Sequence, residues 1–158
     1  MTFDRRFPEG FVVVVDTREQ DPLFLRKPPK GLVVVRDTLA LGDYSIRGFE
    51  RSFIVEAKSL SDLYASVGVG HEAFRARLAR MAEAEWKALV IKASEHAVLK
   101  GSWHSKLNPN VVRGALAKWE VEFDLHVYYA SCPADAERWV LDRMVHYYRL
   151  KREGRMLS

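Results

Sequence analysis

Apolar and polar positions along this chain follow two periods in turn, and the switches between them mark its elements. Val12–Val15 and Leu32–Val35 are short β-branched runs bounded by turn-forming residues, the pattern of buried strands. Pro28-Pro29-Lys30-Gly31 fills the gap between them as a loop. Tyr44–Ile46 and Phe53–Lys58 predict a hairpin around Arg47-Gly48-Phe49. Ser59, with Asp62 at the third helical position, predicts a capped helix start. The period then lengthens: Phe74, Leu78, Met81 and Ala82 form one apolar stripe, predicting a helix over Glu72–Glu85. A strand at Lys87–Lys92, a helix opened by Asn108-Pro109 and a strand at Leu125–Tyr129 follow. The last helix starts near Ala134 and carries Leu141, Met144, Val145 and Tyr148 at helical spacing. Strands first, then strands alternating with helices, predict an α/β architecture with a central mixed sheet.

Composition narrows the setting more than the task. The 158 residues fit one domain, 1–158, able to bury roughly 70% of its unfolded surface. A hydrophobic fraction of 48% and a charged fraction of 29% are those of an ordinary globule. The net charge of +4 and a pI near 9.3 are compatible with nucleic acid and do not require it. Cys132 is the single cysteine, which excludes an internal disulfide and points to a reducing, intracellular compartment. Its apolar runs are too short to cross a bilayer, and the opening Met-Thr-Phe-Asp-Arg-Arg has no signal-peptide core, so no membrane role is expected. Its histidines lack zinc-ligand spacing, and neither a G-x-S-x-G elbow nor a Walker loop is present.

The chemistry concentrates in Phe53–Asp62, which reads F-I-V-E-A-K-S-L-S-D. Successive strand side chains point to opposite faces, so Glu56 and Lys58 share a face and Ala57 points away. A carboxylate inside an apolar strand needs a cation or a partner, because burying it bare costs several kcal/mol or more. A salt bridge to Lys58 or a nearby arginine would meet that need, and so would a hard divalent metal. Asp16, ending a buried strand, and Asp43, after Gly42, each also read as ordinary turn residues. A second region stands out: His96–Trp119 contains no Asp or Glu but holds Lys100, Lys106, Arg113 and Lys118 with Trp103, His104 and Trp119. Cations interleaved with aromatics suit phosphate contact and base stacking; Trp119 as a core residue is the plainer alternative. Arg75, Arg77 and Arg80 fan around one helix, so only some can face one ligand.

In order and spacing, Val15-Asp16-Thr-Arg18-Glu19, Gly42-Asp43 and Glu56-Ala57-Lys58-x-x-x-Asp62 closely resemble the nuclease domain of the XPF family of structure-specific DNA endonucleases. That family carries V-D-x-R-E, G-D and E-R-K-x-x-x-D, and the likeness continues into Phe74-Arg75-x-Arg77-Leu78 and Asn108-Pro109-Asn110-Val111-Val112. It departs at one position, where the family's middle arginine is Ala57. The resemblance implies a restriction-endonuclease-like three-layer core, a central mixed β-sheet flanked by helices. It also implies a Mg²⁺- or Mn²⁺-dependent endonuclease acting on branched, flapped or junction DNA in repair or recombination, leaving 5′-phosphate and 3′-hydroxyl ends.

On that footing Asp43 and Glu56 are expected to hold the cation directly, with the carbonyl of residue 57 beside them. Asp16 and Glu19 are expected in the same acidic pocket, as metal ligands through water or to a second cation, and Lys58 at the attacking water. Arg18 and Asp62 would support this set, and Arg75, Lys100, Trp103, Lys106, Arg113 and Lys118 would contact DNA. The family's nuclease domains pair, and Trp139, Tyr147 and Tyr148 put aromatic residues on more than one face of the last helix, so a homodimer is expected. Without the helix-hairpin-helix module of many relatives, substrate choice would fall to the nuclease surface, a dimer mate or another DNA-targeting protein. A domain of this kind suits a prokaryotic cytoplasm or nucleoid. The alternative is a non-catalytic DNA-binding scaffold subunit.

Overall fold

A computed structural model of the chain describes residues 7–103 and 105–154; His104, grouped above with the basic stretch, lies outside them. In chain order the elements are β1 (Val12–Asp16), β2 (Val33–Asp37), β3 (Tyr44–Ile46), β4 (Phe53–Lys58), α1 (Leu60–Val67), α2 (His71–Met81), β5 (Trp86–Ile91), α3 (Glu95–Lys100), α4 (Pro109–Phe123), β6 (His126–Tyr129) and α5 (Pro133–Arg152). The strands form one sheet in the order β2-β1-β3-β4-β5-β6. It is mixed: β3 runs antiparallel to β1 and β4, whereas β1–β2, β4–β5 and β5–β6 are parallel. The end of β1, the start of β3 and the end of β4 therefore meet at one edge of the sheet.

Period-two alternation sorts each central strand between two cores. Phe53 and Val55 of β4, with Ala88 and Val90 of β5, pack toward α5 and its Val140 and Met144. Ile54, Leu89 and Ile91 pack the other way, against Leu63 of α1, Leu78 of α2 and Leu116 and Trp119 of α4. Sheet with helices on both faces is the three-layer arrangement expected. Among the described residues no helix is long and apolar enough to cross a membrane.

The helix starts follow their caps. Ser59 accepts from the Asp62 amide at 3.1 Å, and Asn108 from the Asn110 amide at 2.9 Å with Pro109 at the first helical position. Two elements differ from the pattern reading. α2 ends at Met81 rather than Glu85, although Ala82-Glu83-Ala84-Glu85 are good helix formers. The chain must turn there for Trp86 to join β4, its amide donating to Ser52 O at 2.9 Å. Helix α3 was not expected; Ser94 caps it by accepting from the Ala97 amide at 3.1 Å.

α5 takes up its aromatic residues within the chain. Trp139 is buried and stacked on Tyr128, their rings 4.6 Å apart and 11° from parallel. The Tyr147 hydroxyl donates to Glu85 Oε1 at 2.6 Å, and Tyr148 donates to Glu9 O at 3.1 Å. The second apolar face on which a homodimer was expected is therefore occupied by the protein's own side chains.

Candidate active site

Three strand ends bring the acidic residues together. The Asp16 amide donates to Asp43 O at 2.8 Å, and the Asp43 amide to Val55 O at 2.8 Å, stitching β1, β3 and β4 at this edge. Gly42, just before Asp43, is needed for two reasons. Its φ of +85° is the left-handed region that side chains avoid, and a Cβ there would lie 2.5 Å from Ile54 Cγ2.

Asp43 and Glu56 form the charged centre. Asp43 Oδ2 accepts from the Ala57 amide at 2.8 Å, while Glu56, 4% exposed, accepts from Arg77 Nε at 3.0 Å. No donor among the described residues bonds Asp43 Oδ1 or Glu56 Oε2. Burial, then the neighbouring Glu56 charge, pushes the Asp43 carboxyl up to about 7. Burial also raises Glu56, with Arg77 and Lys58 pulling the other way. Two like charges, Asp43 half-buried and Glu56 buried, with open oxygens suit a small hard cation. Among the described residues no three acidic, histidine or cysteine side chains close into a metal cage. That donor set fits Mg²⁺ or Mn²⁺, which take one or two carboxylates and keep several waters, and not a zinc-type cage.

The remaining predicted residues fall into three groups. Asp16, 3% exposed, is already saturated: Arg18 donates to it from its amide, Nε and Nη2, and the Leu39 amide donates to Oδ1 at 2.8 Å. Although burial opposes it, those donors hold the Asp16 carboxyl below its usual range. Arg18 also donates to Leu39 O at 2.7 Å, and Arg36 Nη2 donates to the carbonyls of Asp16, Thr17 and Glu19. This clamp presents Glu19, whose Oε2 accepts from the Tyr44 hydroxyl at 3.2 Å and whose charge helps raise Asp43. Burial holds the Tyr44 hydroxyl far above the ordinary tyrosine range, so it stays a donor.

On the β4 face shared with Glu56, Lys58 sits with Nζ 4.8 Å from the Phe74 ring centre. Ala57 packs into the opposite, α5-side core, as alternation requires. Asp62 is exposed on the first turn of α1.

The basic residues do not share one face. Arg75 pairs with Glu122 and lies over Phe123. Trp119 is core, and Lys100, Lys106, Arg113 and Lys118 are all exposed. At 100° per residue Arg113 and Lys118 lie roughly 140° apart around α4, on opposite flanks of its buried stripe. Trp103 is 99% exposed.

Arg77 is the functional residue that pattern reading did not separate from its neighbours. A helical projection does separate it. Arg77 falls roughly 60–70° from the Phe74–Leu78–Met81 stripe, nearer than Arg75 or Arg80, and so reaches the sheet.

Known proteins share this fold. The pattern that defines the ERCC4 domain matches residues 15–142. No curated protein matches the chain by sequence. Among solved structures, XPF from Aeropyrum pernix superposes with a TM-score of 0.68 at 20% identity, covering 90% of this chain and 68% of its own. The same protein in complex with DNA gives a TM-score of 0.63 at 20% identity, covering 93% and 68%. The fold is thus the restriction-endonuclease-like one of the XPF nuclease domain.

Proposed function

Because the chain belongs to the ERCC4 domain family, a family of DNA-acting nuclease domains, we propose that it is a Mg²⁺- or Mn²⁺-dependent endonuclease that cuts branched, flapped or junction DNA. The observation that carries this reading is the Asp43–Glu56 pair, two mutually repelling carboxylates with open oxygens beside Lys58. When bound, the cation would supply Lewis-acid charge at the phosphate and lower the pKa of an attacking water. Asp43 and Glu56 would hold it through their open oxygens, and Glu19, presented by the Arg36 clamp, would add charge from the β1 side.

Asp16 serves as the anchor of that loop rather than as a ligand, since both its oxygens are taken. Arg77 fixes the Glu56 rotamer and screens it. Lys58 places its ammonium at the water and the phosphate oxygens, where negative charge grows in the transition state. In-line attack adds the water oxygen to phosphorus and breaks the bond to the 3′ oxygen, leaving 3′-hydroxyl and 5′-phosphate ends. Exposed Lys100, Lys106, Arg113 and Lys118 offer phosphate contacts on two flanks, and Arg75 joins them if DNA displaces Glu122. A second copy of the chain, if one completes the enzyme, must use surface other than the buried aromatics of α5. Sedimentation velocity reads whether the chain self-associates.

The test is incubation with end-labelled flap, fork, four-way junction and plain duplex DNA in Mg²⁺, Mn²⁺, Ca²⁺ or chelator. Cleavage of branched substrates in Mg²⁺ or Mn²⁺ alone is expected. Binding in Ca²⁺ with no cleavage in any metal would favour the non-catalytic scaffold instead.

A further inference from the structure

Trp103 is the most exposed large apolar side chain near the carboxylate edge. Trp119 and Trp139 are buried, and Trp86 is half-buried and stacked on Phe53 at 4.5 Å. Trp103 alone of the four is 99% exposed. An indole offers 150–250 Å² of apolar surface, so leaving it in water forgoes a large contribution to folding.

Its setting is built rather than loose. Ser105 N donates to Ser102 O at 3.1 Å, and the Leu107 amide donates to Ser105 Oγ at 3.1 Å. Asn108 then caps α4. The indole lines a hollow of about 470 Å³ with Ser59, Leu60 and Ser61, the three residues that follow Lys58. On its other side a hollow of about 590 Å³ runs past Lys100, Leu107 and Pro109.

We infer that Trp103 is a stacking post for an unpaired base lying beside the start of α1, and so reads the single-strand side of a junction. The inference rests on the nuclease reading above and assigns its junction preference to one side chain. Charge favours a nucleic acid as the occupant. His96–Trp119 has no acidic residue, Lys100 lines the same hollow, and Lys106 stands three positions beyond the indole. The acidic residue nearest along the neighbouring helix is Asp62, exposed beside Ser61. A base presents a flat face of any sequence, which a single exposed indole can hold without reading identity.

The experiment measures binding in Ca²⁺ to a fork, to a flap and to blunt duplex of the same length, for the wild type, Trp103→Phe and Trp103→Ala, with cleavage in Mg²⁺ run in parallel. The exposure of Trp103 makes both variants safe for the fold, which circular dichroism checks. Trp103→Ala is expected to bind forks and flaps about fivefold or more weakly and duplex less than twofold more weakly. Trp103→Phe should recover much of the difference. Equal losses on all substrates, or no preference for junctions in the wild type, would overturn the inference. So would unchanged DNA binding with altered self-association, which would assign the ring to a partner copy. If the wild type cuts forks in Mg²⁺ and Trp103→Ala keeps the same fork preference, stacking fails while the nuclease reading stands. A wild type that binds but never cuts removes the nuclease reading instead.

Discussion

Asp16 and Asp43 lie one backbone hydrogen bond apart, yet the regions they belong to are built to opposite ends. At the β1 end the carboxylate is surrounded by donors, its charge satisfied by Arg18 and Leu39 and its pKa lowered. At the β3–β4 end the carboxylate receives one amide, faces Glu56 and is raised to about 7. The first region is finished without any ligand; the second is stable only in part until positive charge arrives. A functional acid is distinguished from a structural one by what its oxygens still lack, not by its position in the sheet.

The largest expected effects break the second region. Glu56→Gln keeps the volume and removes a charge, and Lys58→Ala keeps the carboxylates and removes the ammonium. Each is expected to lower Mg²⁺-dependent cleavage at least about 10²-fold, the scale of one transition-state stabiliser, in single-turnover assays on a fork. Cleavage that persists undiminished in both variants would identify a contaminating nuclease.

Arg77→Gln comes next. It leaves Glu56 buried with no guanidinium, so the metal-free protein should lose about 2 kcal/mol toward urea unfolding at pH 8. Saturating Mg²⁺ should recover most of that loss, because the cation replaces the missing charge. A variant as stable as the wild type without metal would show that Arg77 does not support Glu56.

The sharpest comparison sets Asp43→Asn against Asp16→Asn. Folded Asp43 keeps its proton to about pH 7, whereas the unfolded chain releases it near 3.8. Between those values the unfolded state binds fewer protons, so this group's contribution to stability falls as pH rises through the window. Without metal, Asp43→Asn is therefore expected to raise the melting temperature at pH 8 by about 3 °C while abolishing cleavage, and to change little at pH 4. Asp16 has the opposite sign. Its pKa is depressed, so its contribution is present above 3.8 and fades as pH falls through the lower folded value. Asp16→Asn should lower the melting temperature at neutral pH, with about 1–3 kcal/mol lost by the mismatched donors. Melting curves at pH 4, 6 and 8 that move together in both variants would erase the distinction.

The smallest effect is expected at Ala57. Its side chain faces the α5 core, so Ala57→Arg should change kcat less than about tenfold once protein concentration is corrected for folding. Several orders of magnitude either way would mean that position 57 reaches the cation.

Strand alternation made much of this legible in advance. F-I-V-E-A-K put Glu56 and Lys58 together because a strand has only two faces, and the β1, β3 and β4 segments were bounded by clear turn residues. The end of α2 was not legible, since Ala82–Glu85 favour helix locally and only the need to enter β5 stops them. By pattern alone Asp16 and Asp43 were alike, each an aspartate at a strand end, and only the family resemblance put Asp43 directly on the cation. Their difference comes from Leu39 and Glu56, which only the folded sheet brings close. Arg77 was hidden by company, one of three arginines on a helix whose rotation decides which one meets the sheet. The surplus aromatics of α5 were grounds for expecting a partner, and in the fold three of them meet Tyr128, Glu85 and Glu9 of the same chain.

Gly42 sets the gap across which the site works. Its missing Cβ is what lets the turn before Asp43 lie against Ile54, two residues ahead of Glu56 on the same strand face. The spacing of the two carboxylates is therefore gauged by an absent atom. A larger residue at 42 would act as a wedge, holding Asp43 away from Glu56 and leaving a cation one arm short. Shortening Ile54 to alanine, which removes the Cγ2 methyl in the way, is where compensation would have to arise. The two positions form a caliper whose jaws drift together or not at all.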